Sequence, residues 1–219
     1  MLALGLLSCA VNHGVRPIGK GNVAATGSLG GPVIEAFGAP MPLPLTTLGV
    51  RYGISDNSDL HASVHPSLAG MFGLIGVDAG ASYLVAPQLG PRPAVLVDGT
   101  LLVVGGDTVE GEPDGGVRAY VSAATLASWT WGKRDNLVYG GGELFLQPRP
   151  WQLYAAPVVG NRFQLTRRLG LALELRWVDP WVQTDDLTVH FYSPRRYGAV
   201  SVHAGFHVAF GPDFAKEPG

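Results

Sequence analysis

The sequence predicts an all-β protein: a closed, antiparallel up-and-down β-barrel of about ten strands. Segment after segment alternates apolar and polar residues with period two, as a strand does when its faces meet different surroundings. Charged residues make up only 15% of the chain, against roughly 25% in soluble domains, while the 47% hydrophobic content is ordinary. The deficit is therefore in surface charge. No run of about 18 predominantly apolar residues occurs, and the nearest candidate, residues 60–77, is broken by His61, Ser63, His65, Pro66 and Ser67. If such a chain crosses a bilayer, a closed barrel is the only way left to pair its backbone polar groups.

With 31 Gly and 17 Pro, long helices are disfavoured. The 219 residues suit one barrel or one large sandwich and are too few for two generous domains. A net charge of −2 without a basic stripe gives no argument for nucleic acid. The expected organisation is a signal-peptide remnant over residues 1–8, a linker over 9–20, the barrel over 21–210 and a tail over 211–219.

The first strand is a weak one over residues 21–32, with Val23, Ala25 and Leu29 opposite Asn22, Ala24, Thr26 and Ser28. A Pro-rich connection follows. Leu48, Val50, Tyr52 and Ile54 then alternate with Arg51 and its neighbours; arginine on a lipid face near the midplane costs roughly 2–4 kcal/mol, so Arg51 is predicted to point inward. After a turn over residues 55–59, Leu60, Ala62 and Val64 alternate with His61, Ser63 and His65. Ile75, Val77, Ala79, Ala81, Tyr83 and Val85 form the clearest outer face, opposite Asp78 and Ser82. Val95, Val97, Leu101 and Val103 face away from Asp98 and Thr100.

An acidic loop over residues 105–116 leads to Val117, Val121, Ala123, Trp129 and Trp131, which oppose Arg118, Tyr120, Ser122 and Ser128. The two tryptophans fall where an interfacial aromatic girdle would lie. Residues 137–147 can be read two ways, because Glu143 shares parity with Leu137, Tyr139 and Phe145. A bulge at Gly140-Gly141-Gly142 would change the register. Leu153, Val159, Phe163 and Leu165 are expected outside, with Gln152, Arg162 and Gln164 inside. Leu171, Leu173, Leu175 and Trp177 alternate with Glu174 and Arg176, and a long loop over residues 179–197 precedes the last strand. Connections alternate in length, with three of the even ones tight and three of the odd ones long, as hairpins do when both termini share one side of the membrane.

The last strand, residues 200–210, places Val202, Ala204, Phe206, Val208 and Phe210 on one face and Ser201, His203, Gly205 and His207 on the other. His203, Gly205, Val208 and Phe210 resemble the terminal-strand assembly signal of bacterial outer-membrane β-barrels, and residues 21–210 resemble small proteins of that kind in general patterning. Leu6-Leu7-Ser8-Cys9 looks like a bacterial lipobox, in which the cysteine is lipidated, although no Lys or Arg precedes the short apolar run. An ordinary signal-peptide remnant and a fortuitous buried cysteine are the alternatives. The resemblance implies export by a signal peptide, residence in the bacterial outer membrane, lipid around the barrel and handling by the barrel-assembly machinery.

The predicted inward polar set is Arg51, His61, His65, Asp78, Asp98, Arg118, Arg162, Glu174, Arg176, His203 and His207. In a narrow barrel such charges must pair, so a lumen filled by an interleaved network is the expectation. A polar pore, a binder of small solutes, a rim enzyme acting on lipid or peptide, and a soluble lipocalin-like barrel are the alternatives. His61 and His65 are four residues apart on a strand, roughly 13 Å, so neither they nor His203 and His207 can hold one metal ion as a pair. Neither a metal nor any other cofactor is expected. Ser201 with His203, Asp78 with His61, and the loop residues Asp185, Asp186 and His190 are the conceivable acid–base sets. None matches a known enzyme motif, so the expected role is structural or interactive rather than catalytic.

Overall fold

The computed structural model describes residues 14–36, 38–106, 116–132, 135–148, 151–183 and 191–215. Cys9, Asp185, Asp186 and His190 lie outside them. Ten antiparallel strands close the wall in sequence order: β1 (Val23–Ala36), β3 (Leu45–Ser55), β4 (Ser58–Val64), β5 (Leu74–Ala86), β6 (Ala94–Gly106), β7 (Val117–Trp131), β8 (Asn136–Pro148), β9 (Trp151–Gln164), β10 (Leu169–Gln183) and β11 (Tyr197–Phe210). The seam is the pairing of the last strand with the first, running from Val23 opposite Phe210 to Pro32 opposite Ser201.

The alternation read in the sequence becomes sidedness. Val77 and Tyr83 point out and are 44% and 52% exposed, whereas Asp78 and Ser82 on the same strand are buried. A soluble barrel would have the opposite phase, so the lipocalin-like alternative is overturned. Exposed aromatic residues gather near both ends of the wall. Tyr52, Tyr83, Trp129, Trp131 and Phe210 ring the end where the termini enter, and Trp151, Trp181, Tyr192 and Tyr197 ring the end carrying the longer loops. Trp131 and Phe163 meet edge to face with centroids 6.1 Å apart. Between the rings the outer face is aliphatic apart from Phe206, as a hydrocarbon-facing band flanked by amphipathic rings requires.

Several boundaries depart from the sequence reading. The Pro-rich connection contains an eleventh strand, β2 (Ala39–Pro42), which pairs with an extension of β1 beyond the wall. Residues 66–72, expected as loop, form a seven-residue helix, α1 (Pro66–Phe72), closed by Gly73 in the left-handed conformation. The β10 strand continues to Gln183 through a register shift after Val178, so part of the expected long loop is strand. No bulge interrupts β8, whose register with β7 and β9 is continuous. Leu137, Tyr139, Glu143 and Phe145 therefore all face the lumen. A short second helix, α2 (Pro212–Ala215), lies beside the terminal mouth.

The linker expected over residues 9–20 is also different from residue 14 onward. Val15 is 2% exposed and packs with Leu126, Leu137, Tyr139 and Val158 inside the barrel. The segment is an internal plug at the terminal end. At the loop end, Leu68 from α1 joins Leu45, Leu102, Tyr120, Phe145 and Tyr154 in a second apolar cluster, with Leu43 and Phe191 against it. Gly76 makes room for this lid, since a Cβ there would lie 2.7 Å from Leu68 Cδ1.

Leu175 is 48% exposed in the middle of β10, flanked by buried Glu174 and Arg176. Leu175→Arg should lower the stability of the lipid-folded protein by up to about 2–4 kcal/mol, read by denaturant unfolding in bilayers. Unchanged stability would mean that Leu175 does not face hydrocarbon.

Candidate functional site in the lumen

Arg176, 2% exposed, lies at the centre of the lumen. Its Nε donates to Glu174 Oε1 at 2.6 Å and its Nη1 to Glu143 Oε2 at 3.2 Å. Tyr139 donates its hydroxyl proton to the other oxygen of Glu174 at 2.9 Å. The tyrosine on β8 can reach a carboxylate on β10 because the intervening residue of β9 is Gly160. It stands opposite both Tyr139 and Glu174, and a Cβ there would overlap the phenol oxygen.

The same device recurs across the barrel. His61 on β4 passes over Gly80 of β5, and its Nε2 lies 3.1 Å from Asp98 Oδ2 on β6. Thr100 donates to the second oxygen of Asp98 at 3.0 Å. His65 Nε2 lies 2.7 Å from Asp78 Oδ2, both side chains almost fully enclosed. The structure thus pairs Asp78 with His65 and His61 with Asp98, rather than Asp78 with His61. His203 is 4% exposed beside Glu174 in register, and Ser201 is fully buried with its hydroxyl lacking a protein partner. Arg118 sits on the lumen face of β7 near the loop end. Arg162 and His207 face the lumen near the terminal end, on the wall of one cavity.

Arg51 forms an ion pair with Asp59, and its Nη2 also lies 3.4 Å from Ser82 Oγ. Asp59 is the residue that the sequence reading missed. The sequence pattern places it in the turn, but the turn closes at Ser55 and Ser58, and Asp59 shares the inward parity of His61. Asp59 also accepts the backbone N–H of Ile18 at 3.2 Å, tying plug to wall. Arg16 fastens the plug elsewhere, with Nη2 donating to Gln88 Oε1 at 2.6 Å and Nε to Ser128 Oγ at 3.3 Å.

Chemically the arrangement holds charge in place. The carboxylates of Asp59, Asp78, Asp98, Glu143 and Glu174 are occupied by guanidinium or imidazole groups, and no three His, Cys, Asp or Glu side chains among the described residues are placed to hold a metal ion. Ser201 and His203 sit on one strand deep in the wall, away from either rim.

Fold and lumen together define the architecture of a transmembrane β-barrel with a polar, filled interior. No known protein family matches the chain, and no curated protein matches it. Among solved structures, the chain is similar to an outer membrane channel from Pseudomonas putida F1 at 12% identity and a TM-score of 0.47, over 92% of this chain and 100% of that one. It is similar to the translocator domain of the autotransporter NalP from Neisseria meningitidis at 13% identity and a TM-score of 0.44, over 90% and 91% of the two chains. The outer membrane protease OmpT from Escherichia coli aligns at 11% identity and a TM-score of 0.37, over 86% and 97%.

Replacing both carboxylates that the structure places on Arg176, as Glu143→Gln with Glu174→Gln, should cost about 3–5 kcal/mol of folded-state stability. Adding Arg176→Met to that double variant should recover part of the loss, because it removes the poorly compensated buried cation. Equal stability of the double and triple variants in denaturant titrations would argue against a buried ionic layer.

Proposed function

We propose that this chain is an exported bacterial outer-membrane β-barrel with an occluded lumen, serving a structural or interaction role through its loop end. The observation that supports it most is the stacking inside the barrel. An apolar lid under α1, a buried ionic layer around Arg176 and an apolar plug around Val15 succeed one another along the axis. Lipid is then the partner of the outer band, and His203, Gly205, Val208 and Phe210 of the terminal strand are what the assembly machinery would read.

A gated pore is the second reading, favoured by one fact: the terminal end is stopped by a separate segment, residues 14–18, rather than by wall residues alone. Planar-bilayer recordings on the whole chain and on a variant lacking residues 1–20 separate the two, with heat-modifiable gel migration reporting folding. The filled barrel predicts no steady conductance from either protein, because the Arg176 layer still closes the centre. Stepwise channels from the truncated protein alone would establish the gated pore instead.

Cys9 is proposed as a lipidation site on its sequence context. Metabolic labelling with a radioactive fatty acid should tag the protein, and Cys9→Ser should abolish the tag. An equally labelled Cys9→Ser protein would show that Cys9 is not the acylated residue.

A further inference from the structure

Charge compensation differs between the two halves of the lumen. At the centre, Arg176 has two carboxylates in contact. Toward the terminal end three guanidinium groups gather, those of Arg16, Arg51 and Arg162, and among the described residues one carboxylate, Asp59, forms an ion pair with any of them. The recorded side-chain partners of Arg16 are the neutral Gln88 and Ser128. Arg162 donates from Nη2 to Gln164 Oε1 at 3.3 Å, and its Nε is enclosed with no protein acceptor. Two other carboxylates, Asp135 and Asp213, line the same mouth without forming an ion pair with Arg162. Asp213 accepts from Asn22 Nδ2 at 2.7 Å, and Asp135 stands in the exposed β7–β8 turn; neither is within ion-pair distance of Arg162.

A half-buried guanidinium with no carboxylate in ion-pair contact is incompletely compensated, and its planar fork matches a carboxylate or phosphate. Arg162 opens onto a cavity of about 720 Å³ at the terminal mouth. Arg167, Gln164 and His207 share its polar wall with the carboxylates of Asp135 and Asp213, and Ile18, Leu165 and Phe214 give it an apolar one. That volume is far larger than a bare inorganic anion requires, and the apolar wall suits a hydrocarbon body.

We propose that this mouth binds an anionic group, a carboxylate or phosphate carried on a partly apolar molecule, with Arg162 as the principal donor. The site is independent of whether the barrel conducts.

Equilibrium dialysis of radiolabelled octanoate against the whole chain, folded in a zwitterionic detergent, tests this. One saturable site is expected in the parent protein. Arg162→Gln should weaken it at least ten-fold, whereas Arg92→Gln, which removes an exposed charge at the same end, should leave it unchanged. Arg162→Lys, which keeps the charge and loses the fork, should fall between. If Arg162→Gln does not fold, the ¹⁵Nε resonance of Arg162 in the parent protein should move on octanoate addition; an unmoved resonance overturns the proposal. So does absence of a saturable site, or equal binding by folded Arg162→Gln. Competition by phosphatidylglycerol vesicles, with phosphatidylcholine vesicles as control, upholds the site and assigns it to a lipid headgroup. Binding without such competition upholds it and assigns it to a soluble anion.

Discussion

Closure of the sheet through β11 and β1 is the constraint on which the rest depends. Inside hydrocarbon an unpaired backbone group has no water to turn to, so a ten-stranded wall is stable there only without an edge. The seam runs for ten residue pairs from Val23–Phe210 to Pro32–Ser201, with an unbroken register. Once the wall is closed, period two divides each strand between lipid and lumen. A residue such as Leu175 then has to be apolar, while Glu174 and Arg176 beside it have to find partners across the interior.

The interior solves its packing problem in layers. Ionic groups in the central zone are partnered at close range, as with Arg176 and its two carboxylates or His65 and Asp78. Apolar side chains fill the loop end, and at the terminal end the apolar cluster around Val15 stands beside Arg16, Arg51 and Arg162. Glycine on an intervening strand lets a ring reach a partner two strands away, as Tyr139 does over Gly160 and His61 over Gly80. This packing makes the charges part of the core, in contrast to soluble proteins, whose charges are mostly at the surface. It also explains how a chain of low charge content can still place most of its strand-borne charges on one side.

Wall strands were legible in the sequence wherever lumen-facing residues were polar, as with Asp78 and Ser82 on β5. Legibility failed where the lumen itself is apolar. On β8, Leu137, Tyr139 and Phe145 belong to the end layers and share a face with Glu143, so the contrast that defines a lipid face is lost and the sequence alone suggests a bulge. The plug was unreadable for another reason: residues 14–18 have no period, and their anchors, Asp59, Gln88 and Ser128, are far away in the chain. Within the candidate site, the inward parity of the charged residues could be read from the strands. Their pairing could not, because His61 meets Asp98 rather than Asp78 only through the register of three strands and the absence of a side chain at Gly80.

The central claim, an apolar wall toward lipid around a filled polar interior, is tested most directly by collision accessibility of spin labels in bilayers. Single cysteines introduced into a Cys9→Ser background at Leu171, Leu173 and Leu175, and at Ala124 and Ala172, would each carry one label. The account predicts strong collision with molecular oxygen at the three leucine positions and weak collision with both oxygen and a water-soluble nickel chelate at the two alanines. Oxygen accessibility without that alternation, or strong nickel collision at Ala124 and Ala172, would contradict it.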